Sequence, residues 1–333
     1  TAIGMQSLYN NNGGCSNTAI GQCTMLSNTS GCFNIAIGCN SLYSNTLGSG
    51  NVGVGCETLF SNITASNNVA VGSGALYSNK TGCEQVAVGT CALQGNTDGL
   101  RSTGIGYWAL GCQTTGGYNT AVGRSALEKV TTATGNTAMG YTAGCKVTGS
   151  YNSTFGSEAL KLTTTGVANA AFGTSALCNN TDGGCNIAFG YAAGRFLADG
   201  STALTSPDNS TYVGACTRGA AAGDSNVTVI GFCACACGDN TISLGNANVT
   251  DTYIRGNTTV YGNISALGCG MITGDVKLGG GTPSGYYGLE VAGTGNACIQ
   301  GTLYKDSGSF SITHPLPALS ATKKLVHSFI EGP

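Results

Sequence analysis

Seventeen cysteines and two histidines are the side chains of this sequence best suited to chemistry, and their spacing decides which kind. His314 and His327 both sit near the carboxy end, so no histidine-centred acid–base or nucleophilic constellation can form along the rest of the chain. Both read as structural. The thiols include two pairs 17 residues apart, Cys15 with Cys32 and Cys39 with Cys56, and a dense run, Cys233-Ala-Cys235-Ala-Cys237. Alternation places the three thiols of that run on one face of a strand. Zinc needs a tetrahedral ligand set, and neither a CxxC pair nor a neighbouring histidine completes one, so the run reads as a source of disulfides between chains. No cofactor is expected. Cys23, Cys91, Cys112, Cys145, Cys178 and Cys185 have no partner at the same spacing, and either pair across chains or stay as small buried hydrophobes.

The carboxylates are equally unpromising for catalysis. Glu57, Glu84, Asp98, Glu128, Glu158 and Asp182 occupy loop positions without recurring partners and read as solvated. A depolymerase would need paired carboxylates in a groove, and none stand out, so the chain is not expected to be an enzyme. Asn-X-Ser/Thr sequons occur at Asn28, Asn62, Asn79, Asn152, Asn179, Asn209, Asn226, Asn248, Asn257 and Asn263, a mild excess over what composition alone produces. They are candidate glycan sites if the chain is made in a eukaryotic host. The net charge of −2 and the lack of any lysine or arginine cluster argue against nucleic acid and anionic membranes as partners. No apolar run approaches the roughly 18 to 20 residues of a membrane-spanning helix.

The positioning framework is a repeat. Thr1-Ala2-Ile3-Gly4, Thr18-Ala19-Ile20-Gly21, Ile35-Ala36-Ile37-Gly38 and Val52-Gly53-Val54-Gly55 end on glycines 17 residues apart. The series runs on to Gly190, with one 16-residue step at Gly156. Such a period means a solenoid. The residue before each glycine is always large and apolar, while its neighbour one earlier is nearly always Ala or Gly, so alternation gives the strand one bulky and one small face. Four residues after the glycine a second apolar column (Leu8, Met25, Leu42, Leu59) predicts a second strand per coil. Asparagines four residues before the glycine (Asn17, Asn34, Asn51, Asn68) predict a ladder along one edge. Tyr9, Tyr43, Phe60 and Tyr77, with Leu26 between, recur five residues after the glycine and read as packing at the coil corner.

A coil with two or three large apolar residues makes a thin core against an ordering cost of about 1 to 2 kcal/mol per residue. Closed threefold association, with the small-residue faces buried against one another, would cover it. Stacked in this way, each cysteine pair 17 residues apart would lie in adjacent coils within disulfide reach.

Units such as Asn34-Ile-Ala-Ile-Gly-Cys-Asn-Ser-Leu-Tyr43 and Asn119-Thr-Ala-Val-Gly-Arg-Ser-Ala-Leu127 resemble the head repeats of trimeric autotransporter adhesins and related repeats of phage and algal-virus tail fibres. The resemblance spans residues 1–245 and implies a left-handed parallel β-roll trimer with a spacer or adhesive role, extracellular, on a virion or cell surface. It implies a homotrimer whose other partner is a host-surface glycan or protein receptor. Adhesin-head repeats are usually shorter, so the outer loop here is longer. The segment Phe310-Ser-Ile-Thr-His-Pro-Leu-Pro317 with Leu325-Val-His-Ser-Phe-Ile-Glu-Gly-Pro333 is similar to that preceding an endosialidase-type intramolecular chaperone, which implies trimerisation and release of a chaperone after Pro333. That similarity favours a viral fibre over a bacterial adhesin. An ice-binding solenoid is the remaining alternative, but its flat threonine face is missing from the column Thr1, Thr18, Ile35, Val52, Val69, Val86, Thr103, Thr120.

The expected organisation is all-β: regular 17-residue β-roll coils at 1–194, and irregular coils with a protruding loop (195–207) and the cysteine-rich strand at 195–245. A β-prism-like shaft at 246–277 and a terminal β region at 278–333 follow.

Overall fold

The computed structural model describes residues 1–250, Thr252, Tyr253 and the backbone of the strands Phe310–Thr313 and Lys324–His327. The chain divides into two units, Thr1–Ile254 and Arg255–Pro333. The first is a parallel β-solenoid. Each coil contributes one strand of two or three residues, beginning with β1 (Ala2–Ile3), β2 (Thr18–Ile20) and β3 (Ile35–Ile37). Fifteen such strands stack in sequence order into a single sheet that ends on β12 (Ile187–Phe189), β14 (Thr211–Val213), β16 (Thr228–Ile230) and β17 (Ile242–Leu244). Thr18 pairs with Ile35, which is the 17-residue period made physical. The 16-residue step pairs Thr137 with Ser153, and the period breaks between β12 and β14, where Ile187 pairs with Thr211, 24 residues on. It shortens to 14 between Thr228 and Ile242.

The small side of each strand is the roll's own interior, which corrects the expectation that it faces other chains. Ala19, Ala36, Ala70 and Ala87 are fully buried, while Ile35 and Ile37 on either side of Ala36 are exposed. The reason is thickness. A Cβ added at Gly53 would lie 2.6 Å from Ser41 Oγ and 2.9 Å from Leu42 Cδ1 on the opposite wall. Nothing larger than alanine fits across from the leucine in most coils.

The expected second strand is a turn. At Asn40 and Leu42, and again at Glu57 and Leu59, φ is near +50°, so left-handed residues alternate with right-handed ones. Amides still bridge coils: Asn40 N donates to Gln22 O (3.0 Å) in the coil before, and Leu42 N to Thr58 O (2.9 Å) in the coil after. A left-handed L-residue costs roughly 1–2 kcal/mol. Full burial of the leucine side chain returns about 1.5–3 kcal/mol, which explains why Met25, Leu42, Leu59, Leu76 and Leu93 all reach zero exposure there. The repeat glycine closes the strand where side chains cannot go: Gly106 has φ +129°, and a Cβ on it would sit 2.6 Å from Gly123 O.

The asparagine ladder exists, and there are two of them. Along the first, Asn34 N donates to Asn17 Oδ1 (3.0 Å) and Asn51 N to Asn34 Oδ1 (2.9 Å). Along the second, Asn45 Nδ2 donates to Asn28 Oδ1 (2.8 Å) and Asn62 Nδ2 to Asn45 Oδ1 (2.7 Å). The ladders meet on shared carbonyls. Gly48 O accepts from Asn34 Nδ2 (2.8 Å) and Asn45 Nδ2 (3.0 Å), and Ala65 O accepts in the same way from Asn51 and Asn62. Both lone pairs of an interior corner carbonyl are thereby used.

The insert at 195–207 is not simply a protruding loop. Its strand β13 (Phe196–Leu197) pairs in parallel with β15 (Arg218–Gly219), Phe196 bridges antiparallel to Ala203, and Leu204 returns to the core fully buried. In the second unit, β18 (Phe310–Thr313) and β19 (Lys324–His327) form an antiparallel pair. Val249 N donates to Asn246 O (3.0 Å) to close a turn at 246–249; beyond residue 250, and apart from Thr252 and Tyr253, the expected prism lies outside the described residues, as does His314.

Asn51→Ala removes the acceptor of Asn68 N and one donor to Ala65 O, and is expected to lower stability by about 2–3 kcal/mol in urea denaturation. Asn51→Gln copies Gln85, which keeps the donor half of the rung (Nε2 to Gly99 O, 2.7 Å) while its Oε1 is buried without a partner, and should cost less than alanine but more than nothing; equal losses would contradict the ladder account.

Candidate functional site

The largest feature without a partner is the outer face of the fifteen-stranded sheet. Because alanine takes the inside, the large residues flanking it point outward in every coil. The column before the repeat glycine is apolar without a break, with Ile37, Ile105, Met139, Phe189, Ile230 and Leu244 at 38–59% exposure. Phe155, Phe172 and Phe189 stack along it with centroid separations of 4.8 and 5.5 Å. The second outward column is mixed, apolar at Ile35, Val52, Val69 and Val86 and hydroxylic at Thr103, Thr120, Thr137 and Ser153. Sequence patterning showed a bulky face; which side was outside it did not show.

The thiols fall largely where the period places them. Cys15 and Cys32 lie in adjacent coils with Sγ atoms 3.0 Å apart, and Cys15 N donates to Cys32 Sγ (3.1 Å). That same column continues as Cys32 N to Ser49 Oγ (3.0 Å), Ser49 N to Ser66 Oγ (3.0 Å) and Ser66 N to Cys83 Sγ (3.3 Å). Cysteine here does the work of serine, accepting a backbone N–H from the coil before. The hydrogen bond with Cys32 pushes the Cys15 thiol up, and the same bond holds Cys32 down. Cys39 and Cys56 are both exposed, one coil apart. Cys216 against Cys233, also 17 residues apart, is a third stacked pair that the sequence reading passed over; burial, then the neighbouring thiol, pushes Cys216 up. Cys178 is buried, and burial raises its thiol as well.

All fifteen cysteines among the described residues are free thiols. In the run at Cys233, Cys235 and Cys237 the alternation survives, with Ala234 and Ala236 inward, but the expected strand does not: Cys233 is left-handed at φ 51° and only Cys235 makes a bridge, to Arg218. Among the described residues no group of three His, Cys, Asp or Glu side chains is arranged to hold a metal ion.

Three of the carboxylates read as solvated have cationic partners: Glu84 with Arg101 (2.7 Å), Glu128 with Lys129 (2.8 Å) and Glu158 with Lys161 (2.8 Å). Surface pairs of this kind contribute about 0–1 kcal/mol each. Tyr43, Phe60 and Tyr77 stack face to face at 5.1 and 5.0 Å, so both faces of Phe60 and one face each of Tyr43 and Tyr77 are covered by a neighbouring ring.

The sequons divide sharply. Asn28, Asn62, Asn79 and Asn152 are fully buried rungs of the two ladders, with the nitrogen that would carry a glycan already donating to neighbouring carbonyls. Asn179 is half-buried and donates to Arg195 O (3.0 Å). Asn209, Asn226 and Asn248 are exposed, while Asn257 and Asn263 lie outside the described residues. Among the described residues no helix is long and apolar enough to cross a membrane. No family model, curated protein or solved structure matches the chain.

Glycopeptide mapping of the chain secreted from a eukaryotic host is expected to find Asn28, Asn62, Asn79 and Asn152 unmodified, with any occupancy confined to the exposed sequons. Substantial glycan on a ladder asparagine would show that its coil does not form as described.

Proposed function

We propose that the chain is one third of a homotrimeric extracellular fibre: three left-handed parallel β-rolls with their apolar sheet faces turned to a common axis, continued by a β-prism-like shaft. The observation that carries this reading is the unbroken outward column from Ile3 to Leu244. At about 4.8 Å per strand the face is roughly 70 Å long, and at ~10 Å wide it offers about 700 Å², more than the ~300–600 Å² patch a monomer ordinarily leaves in water. That is also close to the ~800 Å² each partner contributes to a stable interface. A rod can hide such a strip along its whole length only against other rods in register.

The number three, the left-handed sense and the extracellular setting come from the resemblance to trimeric adhesin heads and virus tail fibres; the carboxy-terminal segment favours the virus. The role is structural, a spacer that presents attachment surface to a host glycan or protein receptor, with no catalytic step. Free thiols stacked one coil apart suit oxidation into staples once outside the cell.

Sedimentation in non-denaturing buffer is expected to give three times the chain mass of 33.1 kDa. Ile105→Lys, placed on the outward column, should yield single chains with an unchanged β spectrum. A native chain sedimenting at 33.1 kDa would remove the trimer.

A further inference from the structure

The roll gains length in one place, between β12 and β14, and what the insert builds there differs from the rest of the surface. Where the β13 hairpin lies over the following coil it leaves a pocket of about 210 Å³, lined by Tyr191, Arg195, Phe196, Cys216, Thr217 and Arg218. Two of the chain's five arginines face it. Neither is among the ion pairs of the described residues, which involve Arg101, Lys129 and Lys161.

Arg195 Nε is buried without a hydrogen-bond partner, and its guanidinium sits 4.8 Å from the centre of the Phe196 ring. Arg218 is drawn under the hairpin by one bond, Nη1 to Ala198 O (3.1 Å), beside Gly200. The nearby carboxylates are committed elsewhere. Asp199 accepts from Ser201 N and Thr202 N (both 2.8 Å), Asp208 from Gly184 N (2.7 Å), and Asp224 from Ala220 N (2.7 Å) and Ala221 N (2.8 Å). An orphaned buried donor costs about 1–3 kcal/mol, more when charged, and insertions on one face of a solenoid are where binding surfaces are built.

We infer that this pocket binds the carboxylate or sulfate group of a single acidic sugar residue. Two guanidinia offer planar forks that match such oxyanions, and the Tyr191 and Phe196 rings supply an apolar wall for the sugar's C–H edge. The size selects one residue, since about 300–1,000 Å³ is usual for larger ligands. The pocket is complete within one protomer; its assignment to a host glycan rests on the attachment role proposed above.

The test is calorimetric titration of the native chain with glucuronate, N-acetylglucosamine 6-sulfate, inorganic sulfate and, as a neutral control, glucose. An acidic sugar is expected to bind and glucose not. Arg195→Gln, which breaks no hydrogen bond of the fold, should weaken binding by at least ~30-fold, and Arg218→Lys, which keeps the charge and loses the fork, by less. Binding of no acidic sugar, binding of inorganic sulfate alone, or affinity unchanged in a folded Arg195→Gln chain would overturn the inference. Repeating the titration on Ile105→Lys separates the two readings: a failed assembly leaves sugar binding intact, and a failed pocket leaves the native mass at three chains.

Discussion

Everything in this fold depends on the buried asparagine amides that tie each coil to the next. The roll is too thin for a conventional core: across its interior an alanine faces a leucine, and backbone carbonyls at the corners are shut away from water. An unsatisfied buried carbonyl costs about as much as a leucine contributes, so a thin coil survives only if its corners are bonded. The two ladders do this from opposite sides, converging on carbonyls such as Gly48 O and Ala65 O. Because each rung reaches one coil up or across, the ladders hold neighbouring coils in strand register, and they do so across the 16-residue step (Asn152 N to Asn136 Oδ1) and the 24-residue step (Ser210 N to Asn186 Oδ1) as well.

From that constraint the surface follows. With small residues claimed by the interior, the β-branched and aromatic residues that favour strands are forced outward, and the exposed apolar strip is the price of a slender rod. The same logic explains the insert: a solenoid whose coils are nearly identical has little room for a specific site, and the break between Ile187 and Thr211 is where one can be added without disturbing the stack.

Much of this was legible in the residues. The 17-residue glycine period, the strand before each glycine and the first asparagine column are visible because identical positions stack on identical positions. Other features were not. Asn28, Asn62 and Asn79 look like glycan acceptors because the rung is followed two residues later by threonine or serine, and only the fold shows the amide turned inward. The leucine column looked like a strand because small and large residues alternate there as they do in strands, yet a backbone alternating between left- and right-handed conformations yields the same pattern. Alternation gave the strand two faces without saying which lay inside, since that depends on the opposite wall at Ser41 and Leu42. The Arg195–Arg218 pocket depends on how a hairpin folds back, which no repeat encodes.

The most direct test is hydrogen exchange of the asparagine side-chain amides, read by nuclear magnetic resonance in the native protein. The amide protons of Asn34, Asn51, Asn68 and Asn62 should exchange orders of magnitude more slowly than that of exposed Asn248, as expected of buried donors that open only with the coil. Exchange of the ladder amides at the rate of Asn248 would contradict the account.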